Sequence, residues 1–448
     1  MTRRTRSATA AASSTENVTL STNERILRDC HSFYIDEDRG LIGIAQQLGL
    51  TLFAPKKKIN VLLIGNHSAG KSSFINWYVG EHVQKTGVAM ETQGFTFVTS
   101  GKKRESLTGN ATLHLYPHFD ELRKHRGVVE YLTTEISTSK ENKFSLVTFV
   151  DTPGLVDGDM IYAFNVDDTI LWLGDVADLI FVFFDPIGQA LCKRTLNIVE
   201  KLNSKHPDRI RFYLSKADTA GTESDRQRVM MQIVQELCKR PGLNKAAFEM
   251  PTIYIPTLTG KTAKCENQLE NTAKEISKAI DQMIQTTLNA LEKDCQAIAS
   301  LAQKKKEKDQ ADRAFNWKAR FRGLVFYSLA FFFPLMLLLS LLTSGVGIVE
   351  MLGYEQGKEV AEQLQNFIEG LFGLVPERYQ VGFLVCQAAL CVLLFLLGRC
   401  VSKTRPTLSK RSKRSLEEIR DYVEDIGKRK KALYKEYLEQ SVGSEFVS

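Results

Sequence analysis

No two of the eight cysteines stand in a C-x-x-C pair, so neither a zinc site nor a disulfide framework is expected, and reduced thiols are the default. The first 22 residues have no apolar run, so a secretory signal peptide is not expected in them. They are rich in Arg, Ser, Thr and Ala and almost free of acidic residues, a composition that disordered tails and transit peptides share. Net charge is small for the length, +7 over 448 residues, and no nucleic-acid partner is expected. The Asn-x-Ser/Thr sequons carry no weight, because one of them, Asn66-His67-Ser68, lies inside the motif that organises the chain.

That motif is the stretch from Ile59 to Ser73. Ile59–Ile64 is nearly all apolar and reads as a buried strand. Gly65-Asn66-His67-Ser68-Ala69-Gly70-Lys71-Ser72 follows, and Phe74-Ile75-Asn76-Trp77 begins a helix. This is G-x-x-x-x-G-K-S in the strand–loop–helix setting of a phosphate-binding loop. Gly65 and Gly70 let the backbone form a nest of N–H donors, and the helix adds its positive dipole end. Lys71 is expected to reach the terminal phosphates and Ser72 to bind Mg²⁺. Residues 65–73 as a whole are the expected nucleotide cradle.

From 57 to 258, apolar runs at 59–64, 95–98, 146–150, 179–184, 210–214 and 252–255 alternate with helical stretches at 167–176, 189–202 and 223–239. This alternation predicts an α/β phosphate-loop NTPase domain with a doubly wound, mostly parallel sheet. Three motifs fall where a nucleotide switch needs them. Asp151-Thr152-Pro153-Gly154 ends a strand: Asp151 is placed to hold Mg²⁺ through water, and the Gly154 N–H to sense the γ-phosphate. Thr92, between glycines 87 and 94, is the candidate that completes the metal shell. Ser215-Lys216-Ala217-Asp218 follows another strand, with Asp218 placed to accept from a base and the Lys216 stem to pack on it.

In this order the four motifs resemble dynamin-superfamily G domains. Phe164, Leu171-Trp172-Leu173 and Ala177–Asp185, with His206–Arg211, are similar to the EHD and sarcalumenin branch. The resemblance implies hydrolysis of GTP or ATP with Mg²⁺, since EHD proteins bind ATP with the same base motif. It implies that Ser68 helps place a monovalent ion and that two G domains meet across the nucleotide. His67 stands where dynamins carry a water-orienting glutamine; it either takes that part or faces solvent. Ser215 departs from the usual Asn or Thr. The expected catalytic set is Lys71, Thr92, His67 and Gly154, and the expected metal set Ser72, Thr92 and Asp151.

The flanking segments complete the expected organisation. Residues 23–56 read as helices that pack on a stalk at 262–312, where Ile284, Leu288, Leu291, Cys295 and Ile298 form a heptad seam. Residues 323–343 and 380–398 lack charge and read as two transmembrane helices. Basic segments flank them and an acidic loop, 344–379, separates them. Both termini are thus expected in the cytosol, the loop translocated, and the endoplasmic reticulum or mitochondrial outer membrane as the site. Within the loop, 355–374 reads as an amphipathic helix. The tail, 399–448, is basic and amphipathic, with a capping box at Ser415–Glu418. The paired spans resemble the hairpins of mitofusin and atlastin. The expected partners are the lipid bilayer, anionic lipid at the tail, and a second copy of the chain. The expected activity is membrane remodelling, fusion or fission driven by nucleotide hydrolysis; the alternative is a nucleotide-gated receptor or tether with slow turnover.

Overall fold

The structure, a computed structural model, describes residues 20–36, 39–87, 94–157, 162–187, 191–241, 243, 249–256, 265–344, 366 and 380–443. Thr92 lies outside these residues, as do almost all of the 344–379 loop and the helix expected at 355–374. The chain forms two compact units, Met1–Asp294 with Ile426–Ser448, and Cys295–Asp425.

The first unit is built on a seven-stranded sheet. Its strands are β1 (Ile59–Gly65), β2 (Phe95–Ser100), β3 (Glu105–Thr108), β4 (Leu132–Ser137), β5 (Val147–Asp151), β6 (Leu179–Phe184) and β7 (Ile210–Leu214), in the order β3-β4-β2-β5-β1-β6-β7. Among the described residues the α-helices are α1 (Thr22–Ile35), α2 (Leu41–Leu48), α3 (Lys71–Val79), α4 (Gly109–Leu115), α5 (Val166–Val176), α6 (Lys193–Lys205), α7 (Glu223–Cys238), α8 (Leu269–Ser344), α9 (Gln380–Val401) and α10 (Lys410–Val442). β1 pairs in parallel with β5 on one side and β6 on the other. Its carboxyl end is therefore the switch point of the sheet, where α/β folds bind ligands.

The sheet is mixed rather than uniformly parallel: β2 runs antiparallel to β5, and β3 antiparallel to β4. β3 and β4 were not expected from the apolar runs, because Glu-Ser-Leu-Thr and Leu-Thr-Thr-Glu-Ile-Ser alternate polar residues outward at the sheet edge. The run at 252–255 forms only an isolated bridge, Thr252 beside Leu214. All residues of β1 and β6 are buried, as strands covered on both faces must be. On one face Phe74 of α3 meets Phe149, Phe181 and Phe183. On the other, Leu62, Ile64, Ile180 and Val182 pack with Ile170, Val199 and Leu202 of α5 and α6.

Also in the first unit, α1 lies against the start of α8 and the end of α10. Tyr34 Oη donates to Asp294 Oδ2 (2.7 Å), Arg25 pairs with Glu436, and Lys430 with Glu292 (2.8 Å). The heptad positions Ile284, Leu288 and Leu291 are buried in this unit, and Cys295 and Ile298 are buried in the second.

In the second unit, Asp309, Asp312 and Asn316 share one face of α8 and hold the segment between α9 and α10. Leu408 N donates to Asp309 Oδ1 (2.6 Å), Lys413 pairs with Asp309, and Asn316 Oδ1 accepts from Arg405 N (2.7 Å). Ser409 Oγ accepts from Ser412 N (3.1 Å), so α10 begins ahead of the capping box read at Ser415.

Among the described residues no helix is long and apolar enough to cross a membrane. This overturns the two expected spans, and with them the multi-pass placement, the translocated loop and the endoplasmic reticulum or mitochondrial membrane as its site. An uncharged run equally suits helices that pack on each other. Here the Tyr327 and Phe395 rings lie 5.4 Å apart, and a Cβ on Gly398 would sit 2.9 Å from the Tyr327 ring.

Candidate functional site

The site is assembled at the carboxyl end of β1. Gly65 is required there by space: a Cβ would lie 2.7 Å from the Phe183 carbonyl of β6. Gly70 is required by conformation, with φ +85° just before α3. Between them Ser68 also has positive φ (59°), and Ala69 N donates to Asn66 O (3.1 Å), which rounds the loop. The side chain of Lys71 is buried and turned back into the loop, where Nζ donates to Gly65 O (3.1 Å) and Asn66 O (3.2 Å). Burial lowers its pKa, and the nearby Asp151 carboxylate opposes that shift.

Asp151, at the end of β5, is fully buried. Its Oδ2 accepts from Ser72 Oγ (2.6 Å), while Oδ1 has no partner among the described residues. Burial raises its pKa, against the pull of Lys71 and the Ser72 hydroxyl. A buried carboxylate oxygen without a partner is costly. Together with the Ser72 hydroxyl it offers the hard oxygen donors that suit Mg²⁺, so these residues fit that ion.

The segment after Asp151 runs beside the phosphate loop. Thr152 Oγ1 donates to Leu63 O (2.7 Å), Leu155 N to Gly65 O (3.2 Å), and His67 N to Leu155 O (3.1 Å). Gly154 packs on the His67 backbone: a Cβ would lie 2.7 Å from His67 Cα. Its lack of a side chain is thus a packing requirement, which reading it as a γ-phosphate sensor did not anticipate. The His67 imidazole is half-exposed and shares a hydrogen bond with Ser68 Oγ (2.9 Å).

The base motif lies across a cavity of about 220 Å³ from the loop. Gly70, Ser73 and Phe74 form one wall; Ser215, Lys216 and Asp218 form another; Ile253–Ile255 closes a third. Ser215 is buried and turned inward, its Oγ donating to Phe184 O (3.1 Å). Lys216 takes positive φ (51°) and pairs with Asp185 (3.0 Å). Asp218 is half-exposed at the cavity. The structure thus brings the phosphate loop, Asp151, Gly154 and the base motif to one end of the sheet.

Sequence reasoning assigned no role to Asp185, to Thr195 and Asp157, or to the wall at 253–255. Asp185 left a signal, as the one acid ending the apolar run of β6. The wall did too, as an apolar run with the wrong label. Thr195 and Asp157 left none, since their partners are far away in sequence.

Residues 61–240 match the profile described as the dynamin family. EH domain-containing protein 2 of Rattus norvegicus aligns at 26% identity over 208 residues, 44% of this chain and 36% of that protein. An uncharacterized protein in the xynA 3' region of Caldicellulosiruptor sp. (strain Rt8B.4) aligns at 24% over 237 residues, 49% of this chain and 55% of that one. The chain therefore spans between a third and just over half the length of these relatives. Among solved structures, a member of an oligomerised bacterial dynamin pair, described as a mechanism for long range sensing and tethering of membranes, superposes with a TM-score of 0.42. That superposition has 12% identity and covers 93% of this chain and 78% of the other. Era of Aquifex aeolicus bound to GDP.AlF4- superposes with a TM-score of 0.29 at 15% identity, over 49% of this chain and 56% of its own. The likeness to the dynamin family is thus carried by residues 61–240, less than half of the chain.

Proposed function

We propose that this chain is a Mg²⁺-dependent nucleoside triphosphate hydrolase, acting on GTP or ATP, that couples turnover to self-association on a lipid surface. The observation that carries the hydrolase reading is the buried Asp151, whose Oδ1 has no partner among the described residues, beside the Ser72 hydroxyl and the Lys71 ammonium. Ser72, Asp151 and Thr92 would hold the ion, which when bound neutralises charge on the phosphates. Lys71 exchanges the carbonyls of Gly65 and Asn66 for phosphate oxygens. The backbone of 65–70 and the start of α3 cradle the phosphates, and Asp218 accepts from the base. His67, at the loop tip, is the candidate to orient water once a second G domain faces it.

The lipid reading is supported by the second unit. Trp317, Phe321, Leu324, Phe331 and Phe332 of α8 and Phe383, Val392, Phe395 and Leu396 of α9 are exposed. Arg320 and Arg322 lie within α8 beside its apolar stretch, Arg399 and Lys403 stand at the end of α9, and Lys410, Arg411 and Arg414 begin α10. Folded chains seldom leave so much apolar surface to water, and basic residues beside it suit anionic headgroups.

The test is turnover of GTP and ATP by the purified chain, with and without Mg²⁺, over a hundredfold range of protein, in solution and on anionic vesicles. Mg²⁺-dependent hydrolysis that rises with concentration and on vesicles is expected, and Lys71→Ala is expected to abolish it without unfolding the protein. Normal turnover by a folded Lys71→Ala variant overturns the site. A rate per molecule that is flat in both settings overturns the coupling to assembly.

A further inference from the structure

The first turn of α6 touches both halves of the candidate γ-phosphate site. Thr195, buried within that turn, donates from Oγ1 to Asn66 Oδ1 (2.5 Å) in the phosphate loop. Asn66 is itself buried, and its carbonyl accepts from Lys71 Nζ (3.2 Å) and Ala69 N (3.1 Å). From the other side, the Asp157 carboxylate accepts from Lys193 N (2.8 Å), Arg194 N (3.1 Å) and the Cys192 thiol (3.0 Å). Asp157 thereby takes the place of the missing side-chain cap, since Cys192 at the cap position makes none. It lies three residues beyond Gly154. A third tie runs through Arg194, whose guanidinium lies over the Tyr162 ring (4.6 Å), while Tyr162 Oη donates to Gly154 O (2.7 Å). The loop 152–157 in turn bonds to the phosphate loop through Leu155 and His67. These contacts close a ring: phosphate loop, first turn of α6, loop 152–157, and back.

From this ring we propose that Thr195 and Asp157 are positioning residues for hydrolysis, with the first turn of α6 as the common mount that fixes the phosphate loop and the 152–157 loop relative to each other. The inference rests on the nucleotide-hydrolase reading. Neither residue lines the cavity beside the base motif. Each acts through a neighbour: Thr195 through Asn66 and hence the peptide that carries His67, Asp157 through the chain that carries Gly154. Loss of either tie leaves the triphosphate contacts of 65–73 in place and loosens the distance between His67 and Gly154. Chemistry is more sensitive to that distance than binding is.

The experiment uses the full chain with Thr195→Val, Thr195→Ser and Asp157→Asn. Thr195→Val keeps shape and removes the donor; Thr195→Ser keeps the donor. The expected result for Thr195→Val is a kcat about tenfold lower with triphosphate affinity within about twofold of the parent. Thr195→Ser should restore the parent rate, and Asp157→Asn should fall between them. Amide hydrogen exchange without nucleotide provides a readout independent of activity. Thr195→Val should speed exchange in 65–69 and also in 152–157, although it touches only the first. An unchanged kcat, a loss of affinity in proportion to kcat, or failure of Ser to rescue overturns the proposal. A parent chain with no triphosphate binding would instead sink the hydrolase reading. The mount is then judged by exchange alone, and unchanged protection of 152–157 in Thr195→Val overturns it. Should Thr195→Val fail to fold, Asp157→Asn carries the same test, with faster exchange expected in 65–69.

Discussion

Substituting Gly154 by Ala separates two reasons for a glycine at this position. If only its N–H matters, alanine is tolerated, because the N–H remains. The packing says otherwise: the added Cβ would lie 2.7 Å from His67 Cα and 3.1 Å from His67 N and Cβ. Carbon atoms settle at about 3.5–4.0 Å, so the two loops must part by roughly 1 Å. The bonds that join them, His67 N to Leu155 O (3.1 Å) and Leu155 N to Gly65 O (3.2 Å), are already long and would break. Overpacking of this kind costs about 1–3 kcal/mol, and each lost bond about 0.5–1.5 kcal/mol. A total near 4 kcal/mol lowers the melting point of the first unit by roughly 10 °C. A displacement of about 1 Å between His67 and Gly154 lowers kcat by about a hundredfold. The assay is thermal unfolding and steady-state turnover of Gly154→Ala, with Gly70→Ala as the contrast. At Gly70 a Cβ meets nothing within 4 Å, and only the positive φ is strained, at about 1–2 kcal/mol. Parent-like melting and turnover in Gly154→Ala would refute the packing argument.

Three further outcomes follow from the same structure. Phe74→Ala removes the ring that meets Phe149, Phe181 and Phe183 and lines the base cavity; it should cost about 3–5 kcal/mol and weaken nucleotide binding, read by melting and titration. Asp218→Asn should lower GTP affinity about 10- to 100-fold and raise that for xanthosine triphosphate, because an amide presents an NH₂ donor group beside its single acceptor oxygen where the carboxylate presents only acceptors. Burial, with the Asp29 charge beside it, pushes the Cys30 thiol from 9.0 up to about 12, so the fold favours its protonated form. That stability is intact below pH 9 and is lost as pH rises from about 9 toward 12. By pH 10 the parent should lose about 1.4 kcal/mol that Cys30→Ala does not lose, and native Cys30 should resist alkylation that exposed Cys238 accepts.

The strands that form the site were legible because burial on both faces leaves an uninterrupted apolar run, as in Leu179–Phe184. The edge strands were not, because a strand covered on one face alternates and looks like a loop. Glu105–Thr108 pairs only with β4, and no residue of it is buried. The phosphate loop was legible because its chemistry is local: Gly65, Gly70, Lys71 and Ser72 must stand at fixed spacing around one ligand. What joins Gly154 to His67, or Thr195 to Asn66, is set by how α6 and β5 pack beside β1. Nothing in spacing along the chain reports that. The same gap explains Ser215. It departs from the usual Asn or Thr of the resemblance, and in the fold its hydroxyl ties the end of β7 to the Phe184 carbonyl at the end of β6.

The apolar stretches of α8 and α9 show why a run of uncharged residues underdetermines its surroundings. Both runs are helical, but α8 is one helix from Leu269 to Ser344, and its apolar part continues a face that is already in use. Asp309, Asp312 and Asn316 hold the 405–413 segment. Further along, Gly323 approaches Ser402, where a Cβ would lie 2.6 Å from the serine Cβ, and Tyr327 meets Gly398 and Phe395. Small residues at these crossings bring two backbones close, which is a requirement of helix pairing. Phe321, Leu324 and Phe331 on α8, and Phe383, Val392 and Leu396 on α9, stay exposed. Apolar surface left over after two helices have paired calls for a cover at that surface. It does not call for passage through a bilayer, and that distinction separates the lipid-docking proposal from the two spans expected of the sequence.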